Sequence, residues 1–208
     1  MNVYAESNFV IEIALLQEQQ ESCQKIVQMG RGSDVRLVVP AFSIVEPYTT
    51  LARRHKERKR MVAVLSDEIK QLSRTSVYSE TLKHGGEVTN ILIKSGEEEE
   101  KRLEDTRAEL MNIAEIIPLT TDVLRQATEL KKTYGMSLPD AIVLASVLQH
   151  LAEKKPAKAC FLNRNSRDFD DPDIVKKLQD LKCTTLFQFD SGLAFVLDQL
   201  SNEKSKSG

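Results

Sequence analysis

The chain has 208 residues, 41% of them apolar and 29% charged, and a net charge of −2. Such a chain can bury a core without disulfides or a structural metal, and its balanced charge argues against a dedicated duplex-binding protein but not against an enzyme with a local basic groove. Cys23, Cys160 and Cys183 are odd in number and lack CxxC spacing, so they read as reduced core thiols. No secretory leader is recognisable and no run reaches the roughly 18 apolar residues of a membrane span, so a cytoplasmic protein with no membrane contact is expected.

The predicted elements alternate. Val3-Tyr4-Ala5, in a strand over 2–5, is a short β-prone run. Residues 8–29 carry Phe9, Ile13, Leu16, Cys23, Ile26 and Val27 at near-helical spacing, and Gly30 and Gly32 close that helix. Arg36-Leu37-Val38-Val39 is a second strand stopped by Pro40. Ile116-Ile117-Pro118-Leu119 is a third, its proline a poor fit to a central strand. Ala159-Cys160-Phe161-Leu162 is the fourth and Thr185-Leu186-Phe187-Gln188-Phe189 the fifth. Helices fill the gaps, a pattern that predicts an α/β fold with a mostly parallel sheet covered on both faces.

The middle of the chain differs. From about residue 47 to 113 strand signals are few and charges many. Residues 51–72 read as one long helix, and 78–114 as a second, interrupted near Gly85-Gly86 and Ser95-Gly96. Glu97 to Glu100, ahead of Lys101 and Arg102, stand at the favoured end of a helical turn. We expect one domain over 1–200, with 51–112 a helical arm that is either a solvated hairpin or a dimer contact. The polar tail, 201–208, is expected to be disordered.

Four spots at predicted strand ends carry acids or amides. Ser137-Leu138-Pro139-Asp140 opens a helix that continues almost wholly apolar from Ala141 to Leu148. Asp140 is either a dipole partner in a shortened capping box or a ligand at the mouth of a buried helix, and the burial favours the ligand. Ser43-Ile44-Val45-Glu46 is a full capping box, which accounts for Glu46 alone; only its place after the second strand suggests a second role. Glu6 follows the first strand directly, with Ser7 or Asn8 as the expected cap of the next helix. The loop Asn163-Arg164-Asn165-Ser166-Arg167-Asp168-Phe169 follows the fourth strand, ahead of a helix expected to be capped by Asp173. Asn165 and Asp168 are its inward candidates, and Arg164 and Arg167 suit phosphate.

The reason to join these acids is charge. Crowded carboxylates repel and are partly driven to protonate. Mg²⁺ or Mn²⁺ removes that penalty, prefers oxygen ligands, and can acidify a water and shield phosphate oxygens. The dense basic run, Arg53 to Arg60, most simply reads as a solvated helix face. In a nuclease it is also the best candidate for following a phosphate backbone, without base stacking, since no aromatics interleave. His55, His84 and His150 have no metal-ligand spacing, and His150 is expected at a cap or on the surface.

Together, Val3-Tyr4-Ala5-Glu6-Ser7-Asn8, Ile44-Val45-Glu46, Leu138-Pro139-Asp140-Ala141 and the 163–169 loop resemble the PIN domain family, over about residues 1–50 and 113–190. The resemblance implies a three-layer α/β/α fold whose parallel sheet has about five strands in the order 3-2-1-4-5. It implies a Mg²⁺- or Mn²⁺-dependent ribonuclease that hydrolyses RNA with a metal-activated water. Glu6, Glu46 and Asp140 take the first three acidic positions, as catalytic residues and metal ligands. The fourth falls to Asn165 as a ligand or to Asp168 beside it as a catalytic acid, and Asn8, Arg164 and Arg167 are left to bind substrate. Many members are toxins of toxin–antitoxin pairs and many dimerise, so an antitoxin protein and a second copy of the chain are implied partners beside RNA. Two departures stand out: the family's first acid is usually the shorter Asp, and Asn165 is neutral. They motivate an alternative, a catalytically weakened PIN-like module that binds a protein or nucleic-acid partner. A metal-using phosphatase is a third reading, without an aspartyl nucleophile motif to support it.

Overall fold

The computed structural model describes residues 1–82 and 85–204. In chain order the elements are β1 (Asn2–Ala5), α1 (Ser7–Ala14), α2 (Gln20–Arg31), β2 (Arg36–Pro40), α3 (Ala41–Leu72), α4 (Gly85–Ile113), β3 (Glu115–Ile117), α5 (Thr121–Tyr134), α6 (Leu138–Lys154), β4 (Ala159–Leu162), α7 (Ser166–Phe169), α8 (Pro172–Asp180), β5 (Cys183–Leu186) and α9 (Phe189–Lys204). The strands form one sheet in the order β3-β2-β1-β4-β5, every pairing parallel. β1 is the central strand: Val3 pairs with Leu37 on one side and Cys160 on the other. Chain order reverses at β1 and β4, so a crevice opens beyond their carboxyl ends, at Glu6 and Asn163.

Both faces of the sheet are covered, which is why β1 and β4 are buried along their whole length and read, from Val3 in β1 and throughout β4, as apolar runs. Alternation along the strands sends Tyr4, Val38 and Phe161 to one face, where α5, α6 and α8 pack through Val123, Leu144 and Ile174. Val3, Ala5, Val39, Cys160 and Leu162 face the other way, against Phe9 of α1, Ile26 of α2, Leu110 of α4 and Phe189 of α9. The three layers are thus helix, sheet and helix. All three cysteines are buried and unpaired, as core thiols. No helix among the described residues is long and apolar enough to cross a membrane.

Several boundaries differ from expectation, each for a local reason. The helix expected over 8–29 is two helices. Leu16 adopts φ 51°, ending α1, and the Glu12 carboxylate accepts the backbone N–H of Gln19 to start α2. α3 begins ten residues before the expected 51 and runs through Pro47, which can give no N–H to the carbonyl of Ser43. α4 is continuous through Ser95 and Gly96. That glycine is a packing contact and not a break, since a Cβ there would stand 3.4 Å from Nε2 of His55 on α3. β3 stops before Pro118, and β5 starts and ends earlier than expected, leaving Phe189 to open α9. α8 is capped by Asp171, whose Oδ1 accepts the N–H groups of Asp173 and Ile174, and not by Asp173. α9 is helical to Lys204, four residues into the tail expected to be disordered; 205–208 lie outside the described residues.

His150, expected at a cap or on the surface, is buried instead. Its Nδ1 lies 2.8 Å from the Tyr4 hydroxyl and its Nε2 3.2 Å from Glu115 Oε1. This chain ties the middle of β1 to the start of β3 through α6.

Candidate active site

Glu6 closes β1 and caps α1. Its Oε2 accepts the N–H of Asn8 at 2.8 Å and its Oε1 the N–H of Arg164 at 3.3 Å, so the residue after β1 is tied to the loop after β4. Neither Ser7 nor Asn8 is the cap. The carboxyl is buried, with 6% of its surface exposed, and its pKa is pushed up to about 7. Burial is the main cause. The N–H groups of Asn8 and Arg164 pull the other way, and the neighbouring Glu46 carboxylate adds to the rise.

The capping box expected for Glu46 does not form. Pro40 is the N-cap of α3, and Ser43 is buried inside the first turn, its Oγ without a partner. Glu46 therefore does no capping work. Its Oε2 accepts the hydroxyl of Ser7, the residue after Glu6. Its pKa is raised by burial, against the Ser7 hydrogen bond, and further by Asp140.

Ser137 does cap α6: its Oγ accepts the N–H of Asp140 at 3.2 Å and donates to Asp140 Oδ2. Asp140 Oδ1 accepts from Asn165 Nδ2 at 3.2 Å, and the same nitrogen donates to Asp168 Oδ2 at 2.6 Å. The amide must present nitrogen to both acids, because its oxygen there would face two carboxylates. Burial again leads the upward shift of Asp140, with Asp168 contributing. The 163–168 loop is held in place from below: Phe169 packs edge-on against Phe161 of β4, ring centroids 5.4 Å apart, and the buried Asn163 accepts the N–H of Asn165.

The sequence-expected acids are thus brought together as a chain, Glu6 to Glu46 to Asp140 to Asp168, with Ser7 and Asn165 as the links. Among the described residues no three His, Cys, Asp or Glu side chains converge on one point that could hold a metal ion. In chemistry the set fits a hard divalent cation: its donors are oxygens, with no thiolate or imidazole, and burial and mutual repulsion leave three of the four short of positive charge. Glu6, Glu46 and Asp140 are the groups that could hold it; Asn165 would join them only with its amide turned to bring the oxygen toward Asp140.

Arg164 is differently employed than expected. Its Nη1 lies 2.6 Å from Glu12 Oε2, a fully buried carboxylate, and 3.5 Å from Glu18. Arg167 is exposed on α7. Asn8, Gln17, Glu18, Arg164 and Asn165 line an open polar depression of about 490 Å³ beside Glu6. Glu12 was not singled out from the sequence, though it carries a faint signal as a lone acid in the apolar run Phe9 to Ala14; Ser7 was named only as an expected cap and a motif neighbour, and Asn163 only as part of its loop.

A solved structure similar to the chain is that of VapBC2 from Rickettsia felis bound to a DNA fragment from their promoter, at 11% identity and a TM-score of 0.43, covering 89% of this chain and 99% of that one. No curated protein matches the chain. The family model described as PIN domain matches residues 3–169, from β1 through the loop that carries Asn165 and Asp168. With that span covering most of the chain, and with the sheet order expected for it, the protein belongs to the PIN domain family.

Proposed function

We propose that the chain is a divalent-metal-dependent ribonuclease that hydrolyses phosphodiester bonds of RNA at the crevice beyond β1 and β4. The observation that carries this reading is the chain of coupled acids at that crevice, with Glu46 freed from capping and tied instead to Ser7 beside Glu6. PIN domains are generally nucleases, which sets the class of reaction. A bound Mg²⁺ or Mn²⁺ would supply positive charge for phosphate oxygens and acidify a water. The chain's own part is to hold Glu6, Glu46 and Asp140 ionised and close together around it. Ser7 and Ser137 fix the carboxylate orientations, and Asp168 stands behind Asn165 as the next acid. Asn8 and Arg167 are offered as substrate contacts. In its narrower form the reading makes the chain a toxin restrained by an antitoxin protein, which a small DNA-binding protein encoded next door would support.

Asp140→Asn is the direct test. Changes beside metal ligands cost about 10–100-fold, so loss of a ligand is expected to lower cleavage of a mixed single-stranded RNA pool with Mn²⁺ by at least about 100-fold. The circular dichroism spectrum should be unchanged. Retained cleavage by the variant removes Asp140 from the site. The weakened-module alternative is favoured by one feature: an amide nitrogen, which cannot ligate a metal, stands between Asp140 and Asp168. Thermal midpoints with and without Mn²⁺ separate the two, since a ligand of the native state raises the midpoint.

A further inference from the structure

The acidic crevice is a poor place for a polyanion unless positive charge lies along the way in, and α3 supplies it. Glu46 sits on the first turns of α3, and its helix face continues outward. Arg53 and Arg60 follow Glu46 by about two and four turns, in line with it, and Lys56 flanks them between. The opposite face carries Ile44, Pro47 and Leu51, all buried, so the Glu46 line points to solvent.

The cations of the run are sorted by face. His55 and Arg58, on the side toward α4, are used within the hairpin. Arg58 makes a two-pronged contact with Glu99, both arms 3.1 Å, and a 2.9 Å bond to Ser95, while His55 lies 3.4 Å from the same Glu99. Lys59 lines the small cavity between the helices with Glu97 and Glu100. Arg53, Arg54, Lys56 and Arg60 make no ion pair among the described residues, although α4 is rich in acids. Arg53, Lys56 and Arg60 are exposed. Surface cations turned away from the acids of α4, unpaired among the described residues and aligned with Glu46, are arranged for an outside anion. The line carries one acid, Glu57, and ends where Asp67 and Glu68 begin.

We propose that this outer face of α3, Arg53, Lys56 and Arg60 with Arg54 at its flank, is a track for the sugar–phosphate backbone of single-stranded RNA leading to the acidic crevice. The assignment rests on the ribonuclease reading of that crevice. RNA is favoured over an acidic protein because the strip is continuous with Glu46 and lies about 10–20 Å from it by helix rise, a few nucleotides of chain. No aromatic side chain interrupts the strip, so the contact is with phosphates and indifferent to base sequence.

The test is binding of a labelled mixed-sequence RNA of about 20 nucleotides by full-length protein in EDTA, across a range of KCl. Each phosphate neutralised contributes about −0.7 to the slope of log affinity against log salt for single strands. The triple variant Arg53→Gln, Lys56→Gln, Arg60→Gln is expected to flatten that slope by about 2 and to bind at least roughly 10-fold more weakly at about 0.1 M salt. Its thermal midpoint should match wild type, because the three side chains are exposed and unpaired. Equal affinity and slope in the variant overturn the track. So does tighter strip-dependent binding of poly-glutamate than of RNA, which would make the strip a protein-docking face. Binding in EDTA needs no turnover, so the nuclease reading fails separately. Strip-dependent RNA binding by a protein that cuts nothing would keep the track and lose the nuclease.

Discussion

Arg164 shows how a residue in the right loop can be committed elsewhere. It follows the buried Asn163 and donates its backbone N–H to Glu6, yet its guanidinium serves Glu12, a carboxylate with no exposed surface. Replacing Arg164 with Ala strands that charge. Breaking fully buried pairs costs about 3–5 kcal/mol, and with the arginine about a third exposed we expect a loss near 2–3 kcal/mol in urea unfolding. Adding Glu12→Gln should recover most of it. An Arg164→Ala protein as stable as wild type would mean that the guanidinium is free for substrate. Glu6, Glu46 and Asp140 were legible as acids at strand ends, because a parallel α/β sheet puts its chemistry there. Their connections were not: that Ser7 rather than Ser43 partners Glu46 depends on where α3 starts, and Pro40 gives no side-chain signal of an N-cap.

At the level of elements the strands were read more easily than the helix ends. Strands buried on both faces announce themselves as apolar runs, whereas the break between α1 and α2 has no glycine or proline and is made by Leu16 in a left-handed conformation and by Glu12 reaching Gln19. Gly96 and the Gly85-Gly86 pair looked alike in sequence, but one lies inside α4 against His55 and the other opens it. Gly192 on α9 makes a sharper case. A Cβ there would come within 2.5 Å of Cδ2 of Leu162, which is fully buried on β4. Gly192→Ala should therefore push α9 off the sheet and cost about 1–3 kcal/mol, as overpacking does. An unchanged thermal midpoint would show that Leu162 yields without loss.

Across the whole molecule the raised acids tie stability to pH, and under the proposed metal-dependent function to cations as well. Glu6 ordinarily titrates near 4.5 and is raised to about 7 in the fold. Below 4.5 both folded and unfolded chains hold the proton, and nothing is lost. As pH rises toward about 7 the unfolded chain ionises first, so the folded state loses ground, on the order of 3 kcal/mol at about 1.4 per unit. Glu46 and Asp140 shift in the same direction. In EDTA the thermal midpoint of wild type should fall between about pH 5 and pH 8 more than that of Glu6→Gln, and Mn²⁺ should narrow the gap. Parallel curves for the two proteins would show that Glu6 is not held protonated. Pro47 sets how the long arm and these acids relate mechanically. It leaves α3 one rung short immediately beyond Glu46, and the helix continues for about 38 Å past it. A tilt of about 5° there would swing the far end by roughly 3 Å yet shift Glu46, beside the pivot, by only tenths of an ångström. The arm is a boom stepped beside the acids: under such a tilt its far end would travel through a wide arc while Glu46 at its foot stays still.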